Sequence, residues 1–331
     1  MSLVVRHDVP EETFIALAKK FPQVCHFEMG EGTLIDSCWV LTAGHIGQDL
    51  KSELLTEKKP KVRCNNQSSL IEAVFIHPDF KNIEEGLNND IALVKIKTPV
   101  RNTMPANIYL KQDETGKHII IVGMGDTGTG ITGPQNRNSI TRAASNVIDG
   151  VEKSWIYFAF DPPESKNVTE FEGVSGPGDS GGPAFLMEHD SLFILGVSSF
   201  QKGQDKFGKG RYGVTEYYSR VSAFSTWIHQ TIYDYPNNLP VSTASEQETS
   251  LNEYEGTYGF RKIIFKNGEL FFQRENEPLI LLSPKGNDLF EWSDGNTKLQ
   301  FLRNDLRQIT GFEIRRKNGE VIKVDRNLPV K

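Results

Sequence analysis

"GPGDSGGPAF", residues 176–185, sets a single serine among glycines and prolines. Fixing such a stretch costs more backbone entropy than fixing any ordinary segment. It is therefore either a loose linker or a turn that holds backbone amides in a shape side chains do not tolerate. Ser180 inside that turn is a poor nucleophile alone. It becomes a strong one when a base takes its proton and fixed donors meet the developing oxyanion. The turn itself offers the donors, since its glycines let the amides of Gly178 and Ser180 point at one spot. The base must come from elsewhere in the chain.

His45 in "WVLTAGHI" directly follows an apolar strand, and Asp90 in "LNNDIALVKI" stands at the entrance of another. An aspartate buried there would accept the ring N–H of His45, fix its tautomer and stabilise the imidazolium. With these residues in place, "GTLIDSCWVLTAGH", "HPDFKNIEEGLNNDIALVKI", "GPGDSGGPAF", "LGVSSF" and "YYSRVSAFSTWI" resemble the blocks of the chymotrypsin/trypsin-like serine peptidases, in the order His, Asp, Ser. They span residues 32–230. The resemblance implies an all-β fold of two six-stranded antiparallel Greek-key barrels, the catalytic residues in the cleft between them, and a C-terminal helix near 222–233. It implies His45 as base, Asp90 as its orienter, Ser180 as nucleophile, and Gly178 and Ser180 as the oxyanion hole. It also implies that Ser199 supports Asp90 and lines the substrate strand, with Phe200 and Gln201 beside it.

The same resemblance makes Val174, six residues before Ser180, the base of the pocket for the residue preceding the scissile bond (P1). Relatives that select Lys or Arg carry an aspartate there, so an apolar P1 residue is the simple expectation. Glu216, two residues before Tyr218, stands where some relatives carry an acid reaching the pocket from the opposite wall. A mixed preference, basic or aromatic, is therefore expected, the basic part carried by Glu216. Gln201 would narrow the entrance. The alternative for Glu216 is a solvent-facing carboxylate, because the preceding loop "QKGQDKFGKGRYG" is long.

Three departures stand out. The usual disulfide beside the base is missing, because Ile46 follows His45 and Gly30 faces it, so the loop must hold by packing. No Ile-Val-Gly-Gly start is present, although Val4-Val5 lie at a comparable distance before Leu34. Asp179 therefore needs another partner: Arg6 and His7 are the nearest candidates, with backbone amides as the alternative. Cys25, Cys38 and Cys64 look unpaired, and an odd number leaves at least one free thiol.

Some motifs admit other readings. Gly178-x-Ser180-x-Gly182 also satisfies the nucleophile elbow of α/β-hydrolases, with His189 or His229 as base, but the parallel α/β pattern is missing. "VGMGDTG" satisfies GxGxxG, with Asp149 near the position of a ribose acid, yet the following "TGITGPQNRNS" cannot open a helix. No CxxC pair or HExxH helix suggests a metal, and no cofactor is expected. The alternative of a different class is a catalytically weak protease-fold binding module acting through its cleft and C-terminal domain.

The 331 residues carry a net charge of −6, which argues against nucleic acid as the main partner. No apolar run reaches the ~18 residues of a membrane span. The start "MSLVVRHDVPEETF" lacks a signal-peptide pattern. Export, in bacteria to the periplasm or medium, is the expectation from the family resemblance, and proteins or peptides are the expected substrates.

Residues 1–235 read as one domain of short strands, with helical periodicity at 10–21 and 222–235. "PNNLPVSTASEQETS", 236–250, reads as a linker. Residues 251–331 read as a second domain, an antiparallel meander of seven or eight strands, punctuated by Asn267-Gly268, Asp294-Gly295 and Asn318-Gly319. It resembles the small β domain appended to several bacterial hydrolases; its partner is open.

Overall fold

The computed structural model describes residues 3–56, 58–84, 86–136, 138–235, 251–266, 269–275, 277–286, 288–292, 296–304 and 308–327. The expected linker and the turns at Asn267-Gly268 and Asp294-Gly295 lie outside them. The chain divides into two compact units, Met1–His229 and Gln230–Lys331.

The first unit opens on a closed barrel of six strands in the order Val24–His26, Glu31–Asp36, Trp39–Thr42, Ala92–Ile96, Gln67–Ile76 and Lys61–Cys64. Alternating apolar residues point inward, so Leu34, Val40, Val62, Ile71 and Val94 form its filling. The closing pair sets Cys25 opposite Cys64, and a disulfide joins them. That corrects the reading of three unpaired cysteines: Cys38 is the free one and is buried. Spacing alone cannot show such a pair, because the two strands meet only when the barrel closes.

The second half of this unit is a sheet in the order Arg142–Val147, His118–Gly123, Pro183–Glu188, Ser191–Lys202, Thr215–Arg220, Trp155–Ala159 and Gly150–Glu152. Its first and last members are halves of one bent stretch, 142–152. Arg142–Val147 pairs with His118–Gly123, while Gly150–Glu152 pairs with Trp155–Ala159. The bend therefore closes six strands into the expected second barrel. Ile119, Ile121, Ile156, Phe158, Leu195 and Tyr218 fill it.

Helices occur at Glu11–Ala18 and Val221–Asp234, as the periodicity predicts. A third, Gly44–Leu54, was missed because it starts on glycine. Its stripe Ile46, Leu50 faces the barrel, and Gly47 is needed there: a Cβ would lie 2.7 Å from Ala92 Cβ.

The second unit is an eight-stranded meander, Gly256–Tyr258, Arg261–Lys266, Glu269–Arg274, Ile280–Gly286, Leu289–Trp292, Thr297–Arg303, Ile309–Arg316 and Val321–Asp325, each strand pairing with the next. It curls until its ends meet, where Asn327 N–H donates to Thr257 O at 2.8 Å. Tyr258, Phe272, Phe301 and Phe312 form a core drawn only from residues beyond 250.

Candidate active site

His45 lies in the first turn of helix Gly44–Leu54, two residues past the extended Ala43. Its backbone N–H donates to Asp90 Oδ1 at 2.8 Å, and its Nδ1 lies 2.8 Å from Asp90 Oδ2. A carboxylate can only accept, so Nδ1 carries the proton and Nε2 is left as the acceptor. Asp90 is fully buried, with Ser199 Oγ donating to its Oδ2 at 2.5 Å and Ser219 Oγ to its carbonyl at 2.6 Å. Asn89, in the left-handed region at φ 51°, turns the chain so that Asp90 faces inward, a conformation asparagine tolerates.

The serine turn is set by φ of 95° at Gly178 and 84° at Gly181, which other residues resist. At Gly181 a Cβ would also fall 2.2 Å from both Glu31 O and Thr42 Oγ1, so this strand end must approach backbone closely. Glu31 N–H donates to Ser180 O at 2.8 Å and Gly181 N–H to Ser198 O at 2.9 Å, pinning Ser180 between the barrels. The N–H groups of Gly178 and Ser180 have no acceptor among the described residues. Ser180 Oγ and His45 Nε2 also make no hydrogen bond there, with each other or otherwise. Such contacts are commonly loose without substrate.

Where relatives have a disulfide, Gly30 packs on Ile46. A Cβ on Gly30 would meet Ile46 Cδ1 at 2.6 Å and Ser180 O at 2.9 Å. The same contact therefore brings the residue after His45 and the backbone of Ser180 onto one glycine.

Among the described residues, Asp179 accepts hydrogen bonds from backbone amides: Leu3 at 3.1 Å, Gly176 at 2.7 Å and Gly125 at 2.5 Å. Arg6 and His7, the side chains expected there, are occupied elsewhere, which corrects that reading. Arg6 forks onto Asp8 at 2.7 Å and reaches Thr169 O at 2.8 Å, and His7 bonds Tyr212 OH. Leu3 is positioned because Val4–Val5 is a strand, pairing with Thr127–Thr129 and Gly173–Val174.

Beside Asp179 lies a residue the sequence reading passed over, Glu31. It is 2 % exposed; Oε1 accepts Met124 N–H and lies 3.3 Å from His26 Nδ1, while Oε2 has no hydrogen-bond partner among the described residues. Burial, then the Glu31 charge, push the Asp179 carboxyl well above its usual range, against the pull of the amides. A glutamate between two glycines at a strand start carries no sequence signal that could have exposed this pair.

Around the expected P1 pocket, Val174 is fully buried opposite Val4. Phe200 stacks on Tyr217, centroids 4.9 Å apart, and meets Trp155 edge-on. Gln201 faces Glu216 across the strand pair and donates to its Oε1 at 2.5 Å. Glu216 does not turn to solvent: it is 2 % exposed, and burial lifts its carboxyl to about 8.

A family model described as Trypsin matches residues 15–228, and the chain belongs to the Trypsin family. It is 29 % identical over 250 residues to the complement C1s subcomponent of Rattus norvegicus, covering 65 % of this chain and 34 % of that protein. It is 26 % identical over 227 residues to the urokinase-type plasminogen activator of Gallus gallus, covering 60 % and 49 %. The chain thus matches half or less of these relatives' length. Among solved structures it is similar to neuropsin, a serine protease of mouse brain, with TM-score 0.49, 19 % identity and coverage of 69 % and 98 %. HL collagenase is similar at TM-score 0.49, 20 % identity and coverage of 65 % and 95 %.

Proposed function

We propose that the chain is a serine endopeptidase with Ser180 as nucleophile, His45 as general base and Asp90 as its orienter. The carrying observation is the hydrogen-bonded run Ser199–Asp90–His45, together with the approach of Ile46 and the Ser180 carbonyl to Gly30 and the amides of Gly178 and Ser180, which have no acceptor among the described residues. His45 Nε2 takes the Ser180 proton as Oγ attacks the carbonyl carbon, and the Gly178 and Ser180 N–H groups receive the oxyanion. His45 then returns the proton to the departing amine. Water, activated by the same ring, hydrolyses the acyl ester. No cofactor is required by this scheme.

A fluorophosphonate probe tests it: the wild-type chain should label at Ser180 and the Ser180→Ala chain should not. Absence of wild-type labelling would favour the binding-module reading.

For P1 the proposal remains mixed, aromatic or basic. With its carboxyl near 8, Glu216 is mostly neutral at pH 7 and bonded to Gln201. A Lys or Arg side chain must displace that bond and ionise the acid, so cleavage after Lys relative to Phe should rise as pH passes 8. Glu216→Gln should lose the rise and keep Phe cleavage; an unchanged ratio in the variant would place the specificity elsewhere. Export is proposed on the Cys25–Cys64 disulfide, which persists in oxidising compartments. None of the described helices is long and apolar enough to cross a membrane.

A further inference from the structure

The C-terminal meander sets Arg261 directly opposite Arg274 on neighbouring strands. Two residues further in, the opposed pair is Ile263 and Phe272, 1 % and 2 % exposed. Side chains alternate with period two, so both arginines belong to the core-facing side, one step beyond the end of the core. Arg316, opposite Thr297, stands in the same relation to the core pair Ile314 and Leu299. Because each strand reverses direction, all three positions fall at the same end of the curled sheet. Trp292 ends its strand there too, its buried indole N–H without a hydrogen-bond partner among the described residues.

Like charges directly opposite one another destabilise a sheet. Here they also share one ring: the guanidinium carbons of Arg261 and Arg274 lie 4.1 and 5.2 Å from the centroid of Phe260, which is 48 % exposed. Burial, then Arg274 and Arg316, depress the Arg261 pKa. Neither Arg261 nor Arg274 has a carboxylate in ion-pair reach among the described residues, and Arg316 has an exposed bond to Glu320 at 2.9 Å. The opposite end of the same domain shows what a satisfied arginine looks like there: Arg303 is held at 2.7 Å by Glu253 and at 2.8 Å by Asp288.

We infer that this end of the C-terminal domain binds acidic peptide segments, an Asp or Glu carboxylate forking onto Arg261 and Arg274 while a neighbouring apolar side chain lies on Phe260. Planar guanidiniums suit carboxylates bidentately. The site is compact, and residues 251–331 carry 14 Lys and Arg against 12 Asp and Glu, so the broad basic field an extended polyanion requires is missing. The inference stands apart from the peptidase reading, because binding is measured on a chain that cannot turn over.

The test uses the full Ser180→Ala chain and a fluorescein-labelled, end-blocked peptide of alternating Asp, Phe and Glu, followed by anisotropy at low salt. Binding is expected, weakened at least about tenfold in Arg261→Gln/Arg274→Gln and less in Arg261→Lys/Arg274→Lys, which keeps charge without the fork. The Gln pair should not lower the melting temperature, since it removes a repulsion; a purely structural role predicts a loss. No binding by the Ser180→Ala chain, or equal binding by the Gln pair, would overturn the inference. So would tighter binding of a heparin fragment or phosphatidylserine vesicles that the peptide fails to displace.

Discussion

At the scale of residues, what matters is where protons sit. Asp90 matters through the His45 tautomer it enforces, so Asp90→Asn should keep the fold and lower kcat on the order of 10⁴-fold near pH 7, the cost of the wrong tautomer. Ser199→Ala removes one of the donors on the same carboxylate and should cost far less. Kinetics on the two variants side by side check the ranking; equal losses would contradict it. Glu216 offers a separate reading by stability. Its folded carboxyl sits at about 8 against an ordinary 4.5, so between those values the folded state binds more protons than the unfolded chain. Its contribution is therefore complete below about pH 4.5 and is lost as pH rises through 8. Melting temperatures of wild type should fall more steeply over that window than those of Glu216→Gln, and parallel curves would show that the acid is already ionised. The His45–Asp90 contact was legible in the sequence through the family-like blocks that carry the two residues, each beside an apolar strand; these strands, Trp39–Thr42 and Ala92–Ile96, pair in the structure. The surroundings of Asp179 were not. Its donors are main-chain amides of Leu3, Gly125 and Gly176, and amides look alike in every sequence.

At the scale of elements, closure decides what the sequence can reveal. Period-two runs such as "DIALVKI" and "KHIIIVG" announce strands, and Asn318-Gly319 announces a turn that the structure forms, with Gly319 at φ 86°. Which strand ends a barrel is not written locally. The bent stretch 142–152 pairs on both sides of one barrel, and the cysteines that staple the other are 39 residues apart. Loop closure over that separation makes Cys25→Ser/Cys64→Ser destabilising by about 2–4 kcal/mol. Urea unfolding of the variant should show a lower midpoint, with a slope equal or steeper because the uncrosslinked unfolded chain exposes more surface; an unmoved midpoint would mean that the staple adds nothing to strand pairing. Helix Gly44–Leu54 escaped the reading for a related reason. Its glycines weaken helical propensity and are there for close approach, Gly47 to Ala92 and Gly44 to Asp90 and the Ile91 amide.

At the scale of the whole molecule, two cores of separate residues imply two separable tasks. Among the described residues, the Tyr258–Phe312 core is formed by residues beyond 250, and the hydrogen bonds of His45 and Asp90 stay within the first unit. A chain ending after residue 238 should stay folded and cleave small peptides at close to the full-length rate, while losing the acidic-peptide site. Loss of small-peptide cleavage would show that the units depend on one another. The change of texture after residue 250 was visible in sequence, because hairpin turns and aromatic alternation replace the looser first pattern. The clustering of three arginines at one end was not, since it needs strand register across Arg261, Arg274 and Arg316. On the proposed mechanism, Ser180 forms an acyl ester with the help of His45. Mixing the enzyme with a p-nitrophenyl ester and following the first milliseconds tests it most directly. A burst of about one nitrophenol per chain is expected, with the acyl group found on Ser180 by mass spectrometry and the burst gone in His45→Ala. A burst that survives in Ser180→Ala, or an acyl group on another residue, would contradict it.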